Sequence, residues 1–223
     1  MKGFFVTGTD TGVGKTEIAA YLAKRFSRKG LRVSVMKPVA TGFKTVCKDA
    51  QILRKFSRSN APIDCINPVS FRAPLAPLVA SALENKKFDT GIIWRRFKRL
   101  KKNSDMIIVE GIGGVMVPLY KKGKKVFYVL DMILKMRLPV IIVSRPDLGT
   151  INHTLMTIKA LETSSVKIKG IIFNQTSRVK KDTSVKTNPE VIERLSGIKV
   201  LGSMHYNRRR NKRRVRWLRK AGF

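Results

Sequence analysis

The stretch Gly8-Thr9-Asp10-Thr11-Gly12-Val13-Gly14-Lys15-Thr16 decides the fold, because it joins a short apolar run to the start of a helical pattern. The run before it, residues 4–7, is typical of a β-strand, and apolar positions recur with helical spacing over residues 15–29. A glycine-rich turn in this setting directs backbone N–H groups and the helix N-terminus toward phosphates. We therefore predict a phosphate loop in which Lys15 reaches the β- and γ-phosphates and the Thr16 hydroxyl binds Mg²⁺. Thr9 stands where the usual spacing has its first glycine, and Gly8 lies one residue earlier.

Strand and helix patterns alternate along the rest of the chain. The apolar strands are short and lack polar alternation, which indicates that both of their faces are buried. With helices between them, they predict a single α/β domain of the P-loop NTPase type, in which a parallel sheet has helices on both faces. Two less regular segments are predicted as a loop at 67–77, with three prolines, and a helix at 126–136.

Two charged residues follow strands of this predicted sheet. Glu110 ends an apolar run, and an acid at the carboxyl end of a buried strand lies at the crevice where open α/β sheets bind ligands. We therefore expect Glu110 to face the metal. Lys37 ends the second strand and points into the same crevice as Lys15, where a second cation would stabilise charge in phosphoryl transfer. Position alone does not separate this role from ordinary surface charge in a chain with 47 basic residues.

Other titratable residues carry weaker signals. Asp49 begins a predicted helix and could be either a metal ligand or an acid that stabilises the helix N-terminus, and its spacing favours the second role. His153 and His205 lie near no serine or cysteine in a nucleophile context, so hydrolase and zinc readings have no support. Cys47 and Cys65 form no ligand spacing and are interpreted as reduced thiols of a cytoplasmic protein.

The charge of the chain is extreme. There are 47 Lys and Arg residues against 14 Asp and Glu residues, a net charge of +33. Residues 207–223 contain basic side chains and no acid, so we divide the chain into a catalytic domain, 1–206, and a basic tail, 207–223. The diffuse excess favours a solvated basic surface, whereas the tail could contact nucleic acid nonspecifically. No apolar run approaches the roughly 18–20 residues of a membrane-spanning helix, so no membrane partner is expected.

Taken together, these stretches resemble the dethiobiotin synthetase family. The resemblance runs in order from about residue 3 to residue 203. The matching pieces are Phe5-Val6-Thr7 with the phosphate loop, Lys37-Pro38-Val39-Ala40-Thr41-Gly42, Asn67-Pro68 with residues 71–77, Val109-Glu110-Gly111-Ile112-Gly113-Gly114, Val117-Pro118-Leu119, and Leu148-Gly149-Thr150-Ile151-Asn152-His153.

The resemblance implies an activity and a set of residue roles. The activity is that of a ring-forming carbon–nitrogen ligase of biotin biosynthesis, which converts 7,8-diaminopelargonate, CO₂ and Mg·ATP to dethiobiotin through a phosphorylated carbamate. It also implies a homodimer in which residues 148–154 complete the neighbouring substrate site. The implied roles are catalysis by Lys15 and Lys37, substrate binding by Thr11 and Thr41, Mg²⁺ binding by Thr16, Asp49 and Glu110, and ATP binding by Gly12, Val13, Gly14, Lys15, Thr16, Glu17, Asp49, Glu110, Gly111, Ile112, Gly113, Asn174 and Gln175.

The chain departs from the family near its C-terminus. Leu201-Gly202-Ser203-Met204-His205 replaces a proline-bearing turn that borders the adenine, which predicts looser nucleotide selectivity. Three rival classes are weighed against the resemblance. ATPases of the partition and iron-protein type carry a lysine where this chain has Asp10, and a cobyrinate-type amidoligase needs a glutaminase domain. A nucleic-acid-binding protein on a decayed nucleotide fold would explain the charge but not the intact Lys15, Thr16 and Glu110.

Overall fold

The computed structural model describes residues 2–43, 45–177, 183–206 and 215–217. Its strands are β1 Lys2–Gly8, β2 Val33–Met36, β3 Val39–Thr41, β4 Val69–Phe71, β5 Met106–Glu110, β6 Pro118–Lys122, β7 Lys125–Tyr128, β8 Val140–Ser144, β9 Ile168–Asn174, β10 Val200–Met204 and β11 Val215–Trp217. Its helices are α1 Lys15–Ser27, α2 Lys48–Ser57, α3 Ile63–Ile66, α4 Pro77–Leu83, α5 Thr90–Lys102, α6 Val129–Met136, α7 Thr150–Thr163 and α8 Ser184–Ser196.

Within the described residues, seven strands form the main sheet, in the order β11-β10-β9-β8-β1-β5-β2. All neighbours are parallel except β11, which runs antiparallel to β10 at the outer edge. Every residue of β2, β5 and β8 is buried, which confirms that the apolar runs are strands covered on both faces.

Two hydrophobic cores lie on opposite faces of this sheet. In β5, Ile107 contributes to the core under α5, α6 and α7, whereas Ile108 contributes to the core under α1 and α2. Successive side chains of a strand point to opposite faces, so each apolar strand supplies both cores at once. The predicted fold class, a parallel sheet with helices on both faces, is confirmed.

Two of the predicted segments differ in the structure. The segment predicted as a helix at 126–136 begins as β7, which pairs with β6 in a hairpin, and becomes helical only at Val129. The Phe127 ring stacks on Tyr120 with ring centroids 4.5 Å apart, so cross-strand packing outweighs the helical periodicity there. The segment predicted as a loop at 67–77 contains β4, whose three residues pair with β3 and are preceded by Pro68 rather than interrupted by it.

The order of three neighbouring strands positions the candidate site. β1 leads into the phosphate loop, β5 ends at Glu110, and β2 is followed directly by Lys37. In the order β1-β5-β2 all three are parallel, so their carboxyl ends meet at one edge of the sheet. Within the described ranges, no helix is long and apolar enough to cross a membrane.

Candidate nucleotide and metal site

The phosphate loop connects β1 to α1 and requires glycine for two reasons. Gly14, the residue that caps α1, has a φ of 82°, in the left-handed region that side chains disfavour. A Cβ atom at this position would also lie 1.9 Å from Nδ2 of Asn174. Because Gly14 lacks a side chain, the loop can approach the end of β9 closely.

Lys15 is a buried cation at the start of α1. Its Nζ donates a hydrogen bond to the backbone oxygen of Asp10 at 2.8 Å. Burial, and then the nearby charge of Lys37, lowers the pKa of Lys15 to about 8. Both effects penalise its charged form, so an anion placed beside the ammonium would be strongly favoured. Lys15 and Lys37 both line the same cavity.

Lys37 is buried in the crevice rather than exposed on the surface. Its Nζ donates to Glu110 Oε1 at 2.5 Å and to the backbone oxygen of Gly111 at 3.1 Å, and it lies 3.1 Å from Asp49 Oδ2. Burial alone would lower the pKa of Lys37, but the carboxylates of Glu110 and Asp49 raise it above its ordinary value. Lys37 therefore keeps its charge. The surface-charge alternative that sequence position left open does not hold.

Glu110 is almost completely buried, and only one of its two carboxylate oxygens accepts hydrogen bonds from the described residues. Its Oε1 accepts hydrogen bonds from Lys37 and from the Thr16 hydroxyl, the latter at 2.8 Å. Its Oε2 is buried and, within the part of the chain that the structure describes, has no hydrogen-bond partner. Such an orphaned buried acceptor is rare unless an ion or water completes it.

The oxygen donors at this edge fit Mg²⁺. Thr16 and Glu110 are in direct contact, and Asp49 joins them through Lys37. Mg²⁺ prefers hard oxygen ligands and is commonly held by one or two carboxylates, with phosphates and water completing its shell. The described residues contain no cluster of three or more His, Cys, Asp or Glu side chains.

Asp49 lies both at the start of α2 and at the crevice. It lies in the first turn of α2, whose N-cap is Cys47. A negative charge at this position stabilises the helix through its dipole. Its carboxylate also reaches Lys37, which places it at the crevice with Glu110. The contact with Lys37 goes beyond what a helix-stabilising acid requires, and metal binding by Asp49 stays a prediction.

Asn174 and Gln175 lie at the end of β9. The buried Asn174 amide donates from Nδ2 to the backbone oxygen of Val13 at 2.9 Å and lies 3.3 Å from Glu17 Oε2. The Gln175 backbone N–H donates to the oxygen of Met204, at the end of β10. The structure thus joins Asn174 to the phosphate loop and Gln175 to the segment that departs from the family pattern. Their reading of adenine stays a prediction.

A cavity of about 1010 Å³ lies along this edge. It contains most of the predicted site residues, namely Thr11, Gly12, Gly14, Lys15, Thr16, Glu17, Lys37, Thr41, Asp49, Glu110, Ile112 and Gly113. Val13 and Gly111 are buried behind its wall, and a Cβ atom on Gly111 would meet the Phe5 ring. One cavity therefore collects the predicted phosphate, metal and substrate groups.

Sequence reasoning missed two features of this site. One is an apolar wall formed by Phe43, Val46 and Leu75 from loops that carry no periodic signal. The other is Asn67, a buried amide that donates to the backbone oxygens of Lys37 at 2.8 Å and of Val69 at 3.1 Å. Asn67 belongs to a stretch that matches the family, but a matching stretch does not show which backbone groups a side chain binds.

Comparison with known proteins identifies close relatives. A family model described as an AAA domain matches residues 2–214. The ATP-dependent dethiobiotin synthetase of Thermodesulfovibrio yellowstonii is 42% identical, over 96% of this chain and 92% of its own. That of Bacillus subtilis is 42% identical over 91% and 86%, and that of Methanococcus vannielii is 38% identical over 89% and 90%.

Solved structures that are similar in fold are more distant in sequence. The MinC:MinD cell division complex of Aquifex aeolicus matches with a TM-score of 0.53 at 17% identity, covering 93% of this chain and 83% of that one. MinD of Pyrococcus horikoshii, complexed with Mg-ADP, gives 0.51 at 16% identity, with coverages of 92% and 82%. At such identities the likeness concerns the fold alone, and it agrees with the parallel sheet described above.

Proposed function

Because the chain belongs to the ATP-dependent dethiobiotin synthetase family, we propose that its crevice closes the ureido ring of dethiobiotin from 7,8-diaminopelargonate, CO₂ and ATP. The observation that carries this proposal is the meeting of Lys15, Lys37 and the half-satisfied Glu110 in one cavity. The reaction must bring two anions together, a carbamate and the γ-phosphate, and such a site supplies the positive charge that they need.

The nucleotide would lie along the phosphate loop. The backbone N–H groups of residues 12–17 and the N-terminus of α1 face the phosphates, and Lys15 neutralises them. Thr16, Asp49 and Glu110 would hold Mg²⁺, which when bound supplies further positive charge to the phosphates. Asn174, which ends β9, and Gln175, which follows it, would border the adenine, and their contacts with the phosphate loop and with β10 support this role.

The chemistry itself needs no protein nucleophile. One amine of diaminopelargonate adds to CO₂ and loses a proton, which gives a carbamate. A carbamate oxygen then attacks the γ-phosphorus as the bond to ADP breaks, which yields a mixed carbamic–phosphoric anhydride. The second amine attacks the carbonyl carbon, the ring closes and phosphate leaves. Lys37, held in its charged form, would stabilise the negative charge that develops between carbamate and phosphate.

Thr11 and Thr41 would orient the substrate. Both line the cavity, Thr11 from the phosphate loop and Thr41 from the end of β3. Their hydroxyls can bond to amine or carbamate groups, while the apolar wall at Phe43 and Leu75 suits the aliphatic chain of the substrate.

We further propose that the protein is a cytoplasmic homodimer. Leu148, in the segment expected to complete a neighbouring site, is 88% exposed and is followed by α7. This exposed side chain lies in the segment that the family resemblance assigns to the contact between subunits, which supports the dimer. Nonspecific contact of the basic tail with nucleic acid stays a prediction, since residues 207–214 and 218–223 lie outside the described residues.

A direct assay tests the activity. The protein is incubated with diaminopelargonate, bicarbonate and Mg·ATP, and dethiobiotin and ADP are measured by mass spectrometry. We expect both products in equal amounts, and no dethiobiotin when diaminopelargonate or ATP is left out. ADP formation that does not depend on diaminopelargonate, without dethiobiotin, would indicate a different ATPase.

A further inference from the structure

Lys37 occupies an unusual place, because its ammonium bonds to both carboxylates that we assign to the metal. It lies 2.5 Å from Glu110 Oε1 and 3.1 Å from Asp49 Oδ2. We propose that Lys37 is an internal counter-ion that competes with the divalent ion for Asp49 and Glu110, so that the metal binds tightly only together with ATP and the ammonium then turns toward the phosphates. This inference rests on the metal site of the proposed function.

The charge balance of the cluster explains the competition. With Lys37 in place, the two carboxylates are half neutralised, and the nearby Lys15 adds further positive charge. A divalent cation approaching this cluster alone therefore gains little. The phosphates of ATP change the balance, because they bring several negative charges that both the metal and the displaced ammonium can use.

The contacts of Glu110 provide a route for the exchange. Lys37 and Thr16 both bond to Oε1, which leaves Oε2 as the orphaned oxygen. Oε2 can therefore take up a metal before the bond from Lys37 is broken. The carboxylate need not be stripped of all partners at any point, which avoids an uncompensated buried charge.

The backbone of Lys37 is fixed while its side chain can move. Its N–H donates to the oxygen of Ile66 at 2.7 Å, and its own oxygen accepts from Asn67 Nδ2 at 2.8 Å. The four-carbon stem of a lysine carries a compact charge that can swing about this fixed point. Because Lys37 and Lys15 line the same cavity, such a swing would bring both ammonium groups to the phosphates bound there.

Metal binding without nucleotide tests the proposal. Mn²⁺ binding is measured by electron paramagnetic resonance for the wild type, Lys37→Met and Lys48→Met, in the absence of ATP. Methionine keeps the length of the stem and removes the charge. Lys48 is an exposed lysine of the same cavity wall, next to Asp49 in the chain, so its variant is a control for net charge.

We expect Lys37→Met to bind Mn²⁺ at least about tenfold more tightly than the wild type, and Lys48→Met to stay within about threefold of it. Equal affinities for Lys37→Met and Lys48→Met would overturn the proposal. Should the wild type bind no Mn²⁺ even with ATP, the metal site of the proposed function fails instead, so the two failures are distinguishable.

A structure provides a second measurement if Lys37→Met does not fold. Crystals of the wild type are grown with Mn²⁺ and a non-hydrolysable ATP analogue. We expect Lys37 Nζ to lie outside hydrogen-bond distance of both carboxylates and next to the phosphate oxygens. An ammonium still bonded to Glu110 Oε1, with Mn²⁺ held by the same carboxylates, would contradict the exchange.

Discussion

An ion pair lies at each end of the neighbouring strands β2 and β5, and one pair is exposed to solvent whereas the other is buried. The strands pair from Val33 opposite Met106 to Met36 opposite Val109. One ion pair lies just before the first of these paired residues, and the other lies just after the last. At the amino end Arg32 and Asp105 are 2.7 Å apart, with side chains 73% and 39% exposed. At the carboxyl end Lys37 and Glu110 are 2.5 Å apart, 5% and 1% exposed.

The two ion pairs have similar N–O distances but interact with different strengths, because one is exposed and the other is buried. Water and salt screen the exposed pair, and both of its partners keep their charges without help from the fold. The pKa of Asp105 is lowered to about 2 by hydrogen bonds from Arg32, so its contribution is present above its ordinary pKa and is lost only as the pH falls through about 2. In the buried pair, the carboxylates of Glu110 and Asp49 raise the pKa of Lys37, whereas burial raises the pKa of Glu110 above its ordinary value; pKa values perturbed in this way are typical of functional sites.

Replacing Lys37 with alanine should have the largest effect. We expect dethiobiotin formation to fall by about a thousandfold, because a preorganised cation is lost where charge develops. ATP binding should remain measurable by calorimetry, since Lys15 and the phosphate loop are intact. Lys48→Ala is the matched control and should keep normal turnover. Unchanged turnover in Lys37→Ala would remove this lysine from the mechanism.

Replacing one carboxylate at each end of the strands compares the two pairs directly. Glu110→Gln should lower the free energy of unfolding by about 3 kcal/mol, because it leaves a buried ammonium with fewer partners. Asp105→Asn should change it by too little to resolve, because its pair is exposed. Urea unfolding of both variants measures the difference. Similar losses in the two variants would show that burial does not distinguish the pairs.

Two glycine variants test whether the carboxyl edge of the sheet is more tightly packed around its glycines than the amino edge. Gly14→Ala should cost about 1 kcal/mol from its positive φ and about 1 kcal/mol more, together with a loss of ATP affinity, because the new Cβ displaces Asn174. Gly30→Ala, before β2 at the amino end, has a φ of 83° but no atom within 4 Å of the added Cβ, and should cost about 1 kcal/mol. Thermal unfolding and ATP titration distinguish them, and equal ATP affinities would remove the crowding argument.

The pH dependence of ATP binding reports on Lys15. Its pKa of about 8 means that the free protein loses this charge as the pH rises through 8, whereas bound phosphates favour the charged form. ATP affinity should therefore fall above pH 8, by up to about tenfold per pH unit, with proton uptake on binding. Calorimetry in two buffers of different ionisation enthalpy measures both. In Lys15→Met the pH dependence of ATP affinity should disappear. If the ATP affinity of the wild type did not change between pH 7 and pH 9.5, this would contradict the role given to Lys15.

The smallest effect is expected at the far edge of the sheet. Deleting the residues after Asn207 removes β11, which pairs only with β10 and is separated from β1 by three strands. Turnover should stay within about twofold of the intact chain, as for ordinary surface changes. A shortened protein that folds but no longer binds ATP would show that the tail belongs to the site.

The sequence predicted structure correctly where all of the residues that determine it are close together in the chain. A strand, a glycine-rich turn and a helix are consecutive in the chain, so the phosphate loop needed no distant partner to be recognised. The hairpin at β6 and β7 was missed, because the periodicity of residues 126–136 fits a helix and only pairing with β6 favours a strand. The contact between Asp49 and Lys37 was not predicted for a similar reason, since the two residues are twelve positions apart in the chain.

The sequence by itself determined the parallel sheet, the phosphate loop and the acid that ends β5, because periodicity and turn chemistry act between near neighbours in the chain. Only the tertiary structure decided whether Lys37, one of the 47 basic residues, belongs to the site or to the surface. Lys37 differs from the other lysines through its burial between Glu110 and Asp49, and burial is a property of packing. The same packing leaves Glu110 with one unused oxygen, which no pattern in the sequence could show.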